Sequence, residues 1–216
     1  GKGDITNMIR SYIHRCQKDG VKIVMNCEVT PELIKEEKPD SVIIATGSKT
    51  LILPIEGIDN PAIIHGSDLL DGKRAAGKKV LVVGGGMVGC ETAAFLGEQE
   101  HDVTVIEFRD TVGADVIHEH RVYLMKDFED YGIKEITGAK VCKFYEDGVE
   151  YETADGVRHE SRGYDSVILS MGFRNYNPLE EKIKDLVPET HVIGDAIRAR
   201  RALDATKEAY EVASKI

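Results

Sequence analysis

The feature that most constrains this chain is a run of glycines between a short apolar strand and a helix. Residues 84–89 read GGGMVG and contain the pattern G-x-G-x-x-G. They follow the apolar stretch VLVV and precede ETAAFLGE, and a second apolar stretch, residues 103–106, leads into Glu107. The order strand, tight turn, helix and strand over residues 78–107 predicts a right-handed βαβ crossover in a parallel sheet.

Each glycine of this pattern has a physical role in a dinucleotide site. Gly84 permits the tight turn, Gly86 lets the backbone approach a pyrophosphate, and Gly89 lets the helix pack closely on the strand. The helix N-terminus then faces the phosphates. Glu107 lies 18 residues after Gly89, an interval that suits an acid bonded to the adenosine ribose hydroxyls. A glycine turn without a ligand is the less favoured alternative.

The residues after the second strand bear on the choice between NADH and NADPH. Glu107 favours NADH, because a carboxylate accepts hydrogen bonds from the 2′-hydroxyl and repels a 2′-phosphate. Arg109 argues in the other direction, since a nearby arginine can hold that phosphate. A solvated surface charge is the favoured interpretation of Arg109, and NADPH is therefore the less favoured cofactor.

Other strand ends also carry residues suited to a ligand. The segments SVIIATGS (residues 41–48) and SVILSMGF (residues 166–173) each run from an apolar strand, predicted to be buried on both faces, into a glycine. Both predict that the chain leaves a sheet at its carboxyl edge, where open α/β sheets bind ligands. HVIGDA (residues 191–196) places Gly194 and Asp195 at another strand end. Asp195 either presents a carboxylate to a sugar hydroxyl or is a helix N-cap.

The remaining patterns predict an α/β fold with one antiparallel meander. Helices are predicted over residues 4–18, 30–40 (with Thr30 as N-cap), 118–131 and 205–216. Strands are predicted at residues 21–26, 41–47, 164–172 and 191–194. Three alternating stretches, around residues 135–137, 140–145 and 148–153, predict the meander, and the Gly- and Pro-rich residues 51–77 predict a connection.

Composition excludes several classes of partner. With 28 Lys+Arg against 38 Asp+Glu, the net charge of −10 disfavours nucleic acid. The cysteines Cys16, Cys27, Cys90 and Cys142 form no C-x-x-C pair, which predicts free thiols in the cytoplasm and no metal site. The longest uncharged stretch, residues 80–90, has 11 residues and is too short to span a membrane. No signal peptide opens the chain, and no membrane partner is expected.

The order of these motifs resembles the two-dinucleotide flavoprotein reductases, the pyridine-nucleotide disulfide oxidoreductase superfamily. The motifs are ATG (residues 45–47), the glycine pattern with GCETA, the terminal Gly of SMG, and IGD (residues 193–195). More narrowly, IIATGS, LILPIEGID, VLVVGGGMVGCETAAFL and HVIGDAIRARRALDAT resemble the C-terminal part of the NADH:flavin oxidoreductases. That group includes 2,4-dienoyl-CoA reductase, bacterial enoate reductases and trimethylamine dehydrogenase.

The resemblance implies a Rossmann-like NAD(H) domain inserted into a second Rossmann-like domain that binds FAD. The implied boundaries are residues 1–50 (first part of the FAD domain), 51–77 (linker), 78–172 (NAD(H) domain) and 173–216 (last part of the FAD domain). The implied NAD contacts are Gly84, Gly85, Gly86, Met87, Val88, Gly89, Glu91, Glu107, Phe108, Arg109 and Gly172. The implied FAD contacts, in the intact parent, are Ala45, Thr46, Gly47, Gly194 and Asp195. In relatives the position of Glu91 reaches toward the nicotinamide.

The resemblance also implies a reaction: NADH reduces FAD, and electrons pass through a 4Fe–4S cluster to FMN in a barrel domain, where an unsaturated substrate is reduced. This chain has one glycine fingerprint, no Cys-rich cluster motif, no barrel and no initial Met. We therefore expect an inactive fragment with a truncated FAD domain that holds FAD weakly or not at all, and whose partner is a missing N-terminal barrel domain. No acid–base catalyst is predicted, because His65, His118 and His120 lack a partner in the sequence.

Two alternatives and the oligomeric state stay open. The chain could be a non-enzymatic ADP-binding module, as in trimethylamine dehydrogenase-like proteins. It could also be a stand-alone disulfide or ferredoxin reductase, which the missing C-x-x-C disfavours. Arg198, Arg200 and Arg201 either face a flavin phosphate or a neighbouring domain, or are solvated. A homo-oligomer is neither predicted nor excluded.

Overall fold

A computed structural model describes residues 3–216. The first two residues of the predicted FAD domain, Gly1 and Lys2, lie outside the described part. The chain forms two compact units, one of residues 3–44 and 178–191 with residue 216, and the other of residues 45–177 and 192–215. The domain boundaries given above remain predictions.

The first unit combines three helices with a two-stranded sheet. Its elements are α1 (Gly3–Lys18), α2 (Pro31–Glu37), β1 (Ser41–Ile44), α6 (Glu180–Ile183) and β12 (Glu189–Val192). Thr30 caps α2 as predicted, since its Oγ1 accepts a hydrogen bond of 3.3 Å from the N–H of Leu33. α2 contacts α6, and β1 pairs with β12.

One strand prediction and one burial prediction in this unit are wrong. Residues 21–26 form no strand, and Val21, Ile23, Val24 and Met25 are each 46% or more exposed. A strand needs a neighbouring strand for its backbone N–H and C=O groups, and no strand of the described residues pairs with this segment. β1 is also not buried on both faces, because Ile43 is exposed.

The second unit contains a five-stranded parallel sheet of order β3-β10-β4-β5-β6. Its strands are β3 (Ile64–His65), β4 (Lys79–Val83), β5 (Asp102–Ile106), β6 (Lys134–Ile136) and β10 (Ser166–Leu169), and its helices are α3 (Gly66–Leu70), α4 (Met87–Glu98) and α5 (His118–Asp130). The predicted βαβ crossover is confirmed as β4, α4 and β5. Its helix begins at Met87, before the predicted Glu91, and β3 comes from the segment that the sequence predicted as a connection.

Both faces of this sheet are buried, as expected for a parallel sheet. On one face Val80, Val82 and Val103 pack with apolar residues of α4 and α5. On the other face Leu81 and Val167 pack with apolar residues of an antiparallel three-stranded sheet. That sheet consists of β7 (Lys140–Tyr145), β8 (Gly148–Glu152) and β9 (Arg158–Ser161).

The meander therefore exists, with a different set of strands from the predicted one. The stretch around residues 135–137 belongs to the parallel sheet as β6, and the third meander strand is β9. Three residues of alternation fit either kind of sheet, because both have a side-chain period of two.

The residues that follow the glycines of the two predicted strand-to-glycine segments pair with each other. β2 (Ser48–Thr50) and β11 (Phe173–Asn175) pair in an antiparallel ribbon. A 3₁₀ turn (Gly194–Ala196) precedes α7 (Ala202–Ala213), which begins before the predicted residue 205. Within residues 3–216 no helix is both long and apolar enough to cross a lipid bilayer.

Candidate functional site

The main cleft of the second unit opens at the carboxyl ends of β4, β5 and β10 and has a volume of about 940 Å³. Its walls are the glycine turn after β4, residues 107–109 after β5, residues 170–173 after β10, and residues of the 195–204 segment. Open parallel sheets bind ligands at this edge.

The glycine turn leaves no room for side chains at two positions. A Cβ on Gly84 would lie 2.4 Å from the carbonyl oxygen of Ser170, and φ at Gly84 is +105°. A Cβ on Gly89 would lie 1.8 Å from the carbonyl oxygen of Gly84. The approach at Gly84 brings the turn against the residue after β10, and the approach at Gly89 brings the N-terminus of α4 against the turn. The three atoms nearest to a Cβ on Gly86 would all belong to the carboxyl group of Asp115, at 3.3–3.7 Å.

Glu107 follows β5 and is hydrogen-bonded to the glycine turn. Its Oε2 accepts a 2.6 Å bond from the N–H of Gly85, and its Oε1 accepts a 2.9 Å bond from the N–H of Arg109. A carboxylate offers about four lone-pair sites, so both oxygens can still accept a bond from a hydroxyl. Phe108 and Arg109 are exposed and line the cleft beside Glu107.

Sequence reasoning missed Asp115, which also lines the cleft. Its Oδ1 accepts a 2.9 Å hydrogen bond from the N–H of Met87, the first residue of α4. Asp115 lies in the loop between β5 and α5, where Asp110 is equally acidic and exposed. Nothing in the spacing distinguishes one from the other.

Asp195 also lines the cleft. Its Oδ2 accepts a 3.3 Å bond from Ser48 Oγ, and its Oδ1 accepts a 3.1 Å bond from the N–H of Arg200. The N-cap interpretation of Asp195 is wrong, because it lies in the 3₁₀ turn and α7 begins later, after Arg201.

One of the three arginines after Asp195 forms an ion pair within the protein. The Arg200 guanidinium donates to Glu208, whose other oxygen accepts a 2.7 Å bond from the N–H of Gly194. The guanidinium, with a smaller contribution from that N–H, holds the pKa of Glu208 below its ordinary value. Arg198 and Arg201 line the cleft together with Arg200.

The structure brings many of the predicted site residues to one cleft. Those that line it are Gly84, Gly86, Met87, Val88, Glu107, Phe108, Arg109, Gly172 and Asp195. Those outside its lining are Gly85, Gly89, Glu91, Ala45, Thr46, Gly47 and Gly194. Thr46 Oγ1 donates to the carbonyl oxygen of Tyr176, and Glu91 lies 3.8 Å from the Nε2 of His120. The roles of all these residues remain predictions.

Of the four free cysteines, Cys90 is the buried one. Burial raises the pKa of Cys90 to about 12, so its thiol stays protonated near neutral pH. No group of three or more His, Cys, Asp and Glu residues among residues 3–216 is placed to hold a metal ion.

The chain is similar to reductases and an oxidase of about three times its length. It is 30% identical to cinnamate reductase of Clostridium sporogenes over 218 residues, covering 100% of this chain and 32% of that protein. It is 32% identical to NADH oxidase of Thermoanaerobacter brockii over 202 residues, covering 91% and 31%. A solved structure of 2-naphthoyl-CoA reductase in complex with 2-naphthoyl-CoA superimposes with a TM-score of 0.89 at 32% identity, covering 99% and 32%.

The family model for the pyridine nucleotide-disulphide oxidoreductases matches residues 4–193. That range contains the glycine turn, Glu107 and both strand-to-glycine segments. The chain spans about a third of the length of the curated relatives it matches. It therefore belongs to the pyridine nucleotide-disulphide oxidoreductase family.

Proposed function

We propose that this chain binds NADH in the cleft and positions it to reduce FAD. In this proposal the chain is part of a longer NADH:flavin oxidoreductase similar to 2,4-dienoyl-CoA reductase. The observation that carries the proposal is the Glu107 carboxylate, hydrogen-bonded at 2.6 Å to the glycine turn whose Gly86 faces the same cleft. This arrangement puts an acceptor for ribose hydroxyls beside a backbone that admits a pyrophosphate.

Different residues around the turn bind different parts of NADH. The N-terminus of α4 attracts the phosphates, and Glu107 accepts from the ribose of the adenosine. The exposed ring of Phe108 offers an apolar face to the adenine. When bound, NADH supplies a hydride, and the chain contributes binding and orientation because the cofactors carry the chemistry.

Asp195 and Ser48, which line the same cleft, fit a polyol. Their side chains are hydrogen-bonded to each other, and the carboxylate also accepts from the Arg200 N–H. A preorganised carboxylate of this kind can accept from ribityl hydroxyls. We propose that Asp195, with Ala45, Thr46, Gly47 and Gly194, contributes to the FAD site of the longer protein. A purified 216-residue chain with stoichiometric, tightly bound flavin would contradict the expectation that this chain alone holds FAD weakly.

The length of the relatives supports the remaining parts of the proposal. The chain covers 32% of cinnamate reductase, which leaves room for a barrel domain with FMN and a 4Fe–4S cluster. Relatives named cinnamate reductase and 2-naphthoyl-CoA reductase support reduction of an unsaturated substrate by the longer protein.

The direct test is titration of the chain with NADH and NADPH by calorimetry. We expect NADH to bind more tightly. Glu107→Gln should weaken NADH binding at least about tenfold, since a hydrogen bond to a charged group contributes about 1.5–3 kcal/mol, and should abolish the preference for NADH over NADPH. Glu98→Gln, the same change at an exposed position outside the cleft, is the matched control. Tighter binding of NADPH by the wild type would contradict the proposal.

A second candidate function is an ADP-binding module without hydride transfer. The position of Glu91 favours it, because Glu91 lies outside the cleft lining, 3.8 Å from His120. The adenosine end of the site does not depend on Glu91. Stopped-flow mixing of the longer flavin-loaded protein with NADH separates the two functions. Rapid loss of flavin absorbance supports the reductase, and its absence supports the ADP-binding module.

A further inference from the structure

Two carboxylates occupy backbone donors of the glycine turn. Glu107 accepts from the N–H of Gly85, and Asp115 accepts from the N–H of Met87. The second bond lies at the N-terminus of α4, a helix of 12 residues, where unpaired N–H groups and the helix dipole favour an anion. Both Asp115 carboxylate oxygens lie within 3.5 Å of the position that a Cβ of Gly86 would occupy. An acidic side chain therefore sits in the space that the glycine pattern keeps free.

The backbone that carries Asp115 is anchored to the same turn. The N–H of Gly113 donates a 2.7 Å bond to the carbonyl oxygen of Gly85. Arg121 donates to the carbonyl oxygen of Val112 at 3.1 Å. Val112 and Val116 are buried in the core, with exposures of 0% and 8%. The loop on both sides of Asp115 is thus anchored, whereas Asp115 itself is exposed.

We propose that Asp115 is a specificity-determining residue whose carboxylate takes the place of a phosphate at α4 and must swing away when a nucleotide binds. This inference rests on the proposed function of the cleft. The N–H of Met87 and the helix N-terminus attract a phosphate for the same reason that they attract the carboxylate. The Asp115 carboxylate and a phosphate repel each other when both lie at the N-terminus of α4, so only one of them occupies the site.

The consequence is a selective reduction in affinity for ligands that carry phosphate. Asp115 weakens the binding of ADP and NADH, and it leaves adenosine, which has no phosphate, unaffected. Removing its charge should tighten ADP binding at least about fivefold, the factor that corresponds to the repulsion of two unit charges about 4 Å apart in water.

The test is calorimetric titration of the 216-residue chain with ADP and with adenosine. Asp115→Asn keeps an acceptor for the Met87 N–H and removes the charge, and Asp115→Ala removes both. Asp110→Asn is the matched control, because Asp110 is an exposed acid of the same loop that does not line the cleft. Circular dichroism spectra of all variants report whether the fold is retained.

We expect both Asp115 variants to bind ADP at least about fivefold more tightly than the wild type and Asp110→Asn do. All four proteins should bind adenosine with the same affinity. If Asp115→Asn binds ADP with the wild-type affinity or more weakly, this inference fails while the proposed function stands. The same holds if its affinity for adenosine rises as much as its affinity for ADP. If no variant binds either ligand, the proposed function fails as well.

Discussion

Replacing Gly89 with alanine should destabilise the second unit, because the added methyl group meets the backbone of the glycine turn. The Cβ would lie 1.8 Å from the carbonyl oxygen and 2.9 Å from the carbonyl carbon of Gly84, and 3.4 Å from the Cβ of Ser170. Ordinary contacts of this kind begin at 3.4 Å. The start of α4 must therefore move away from the turn by more than an ångström, or the turn must deform.

The size of the effect follows from two opposing contributions. An extra methyl group in a filled site typically costs about 1–3 kcal/mol, and we expect the upper end because the obstacle is backbone. Alanine stabilises a helix interior by about 1 kcal/mol relative to glycine. The free energy of unfolding should therefore fall by about 2 kcal/mol, from these two contributions together.

The assay is urea denaturation followed by circular dichroism. Gly3→Ala is the control, because Gly3 also lies in a helix and a Cβ there would have nothing within 4 Å. It should leave stability unchanged or slightly raised. If Gly89→Ala is as stable as wild type, the helix does not need the close approach, and the reasoning from the glycine pattern is refuted.

Three further predictions concern binding, thiol reactivity and pH. Gly86→Ala should leave stability nearly unchanged, since the atoms nearest to its Cβ belong to the carboxyl group of Asp115, an exposed side chain, at 3.3 Å or more. It should nevertheless weaken ADP binding several-fold in calorimetry; unchanged binding would count against a pyrophosphate at this turn. Cys90, buried with a pKa of about 12, should resist iodoacetamide at pH 8 while exposed Cys27 reacts, as peptide mass spectrometry can show; early labelling of Cys90 would contradict its burial. In Arg200→Gln the pKa of Glu208, lowered in the folded protein mainly by Arg200, should rise toward its ordinary value of 4.5 in NMR titration. A lowered carboxyl pKa stabilises the fold at pH values above 4.5, and this stabilisation is lost as the pH falls through the pKa of the folded state. The variant should therefore lose less stability on acidification than the wild type. An equal loss of stability in both proteins would refute this assignment.

The parts of the fold that the sequence predicted are those fixed by local backbone chemistry. Gly84, with φ of +105°, and Gly89, with no space for a Cβ, mark the turn by their residue type alone. Thr30 before a proline likewise marks the start of α2. In each case a few neighbouring residues are enough to predict the local structure.

The parts that the sequence did not predict depend on partners far along the chain. Residues 21–26 have the composition of a strand and remain irregular, because no described strand pairs with them. β6 and β3 are two or three residues long and are defined by pairing with β5 and β10. Asp115 reaches the N–H of Met87 from 28 residues away. None of these partners is visible in a local pattern.

The strand order of the parallel sheet has a consequence for synthesis on the ribosome. β10 lies between β3 and β4 but is the last of the five strands to be translated. Until it emerges, the apolar edge of β4 has no neighbour on that side, and β3 has nothing to pair with. Translation at roughly 5–20 residues per second keeps this edge open for several seconds. Exposed apolar edges of this kind are where nascent chains aggregate, so chaperone dependence of this protein should be greatest before residue 169 leaves the exit tunnel.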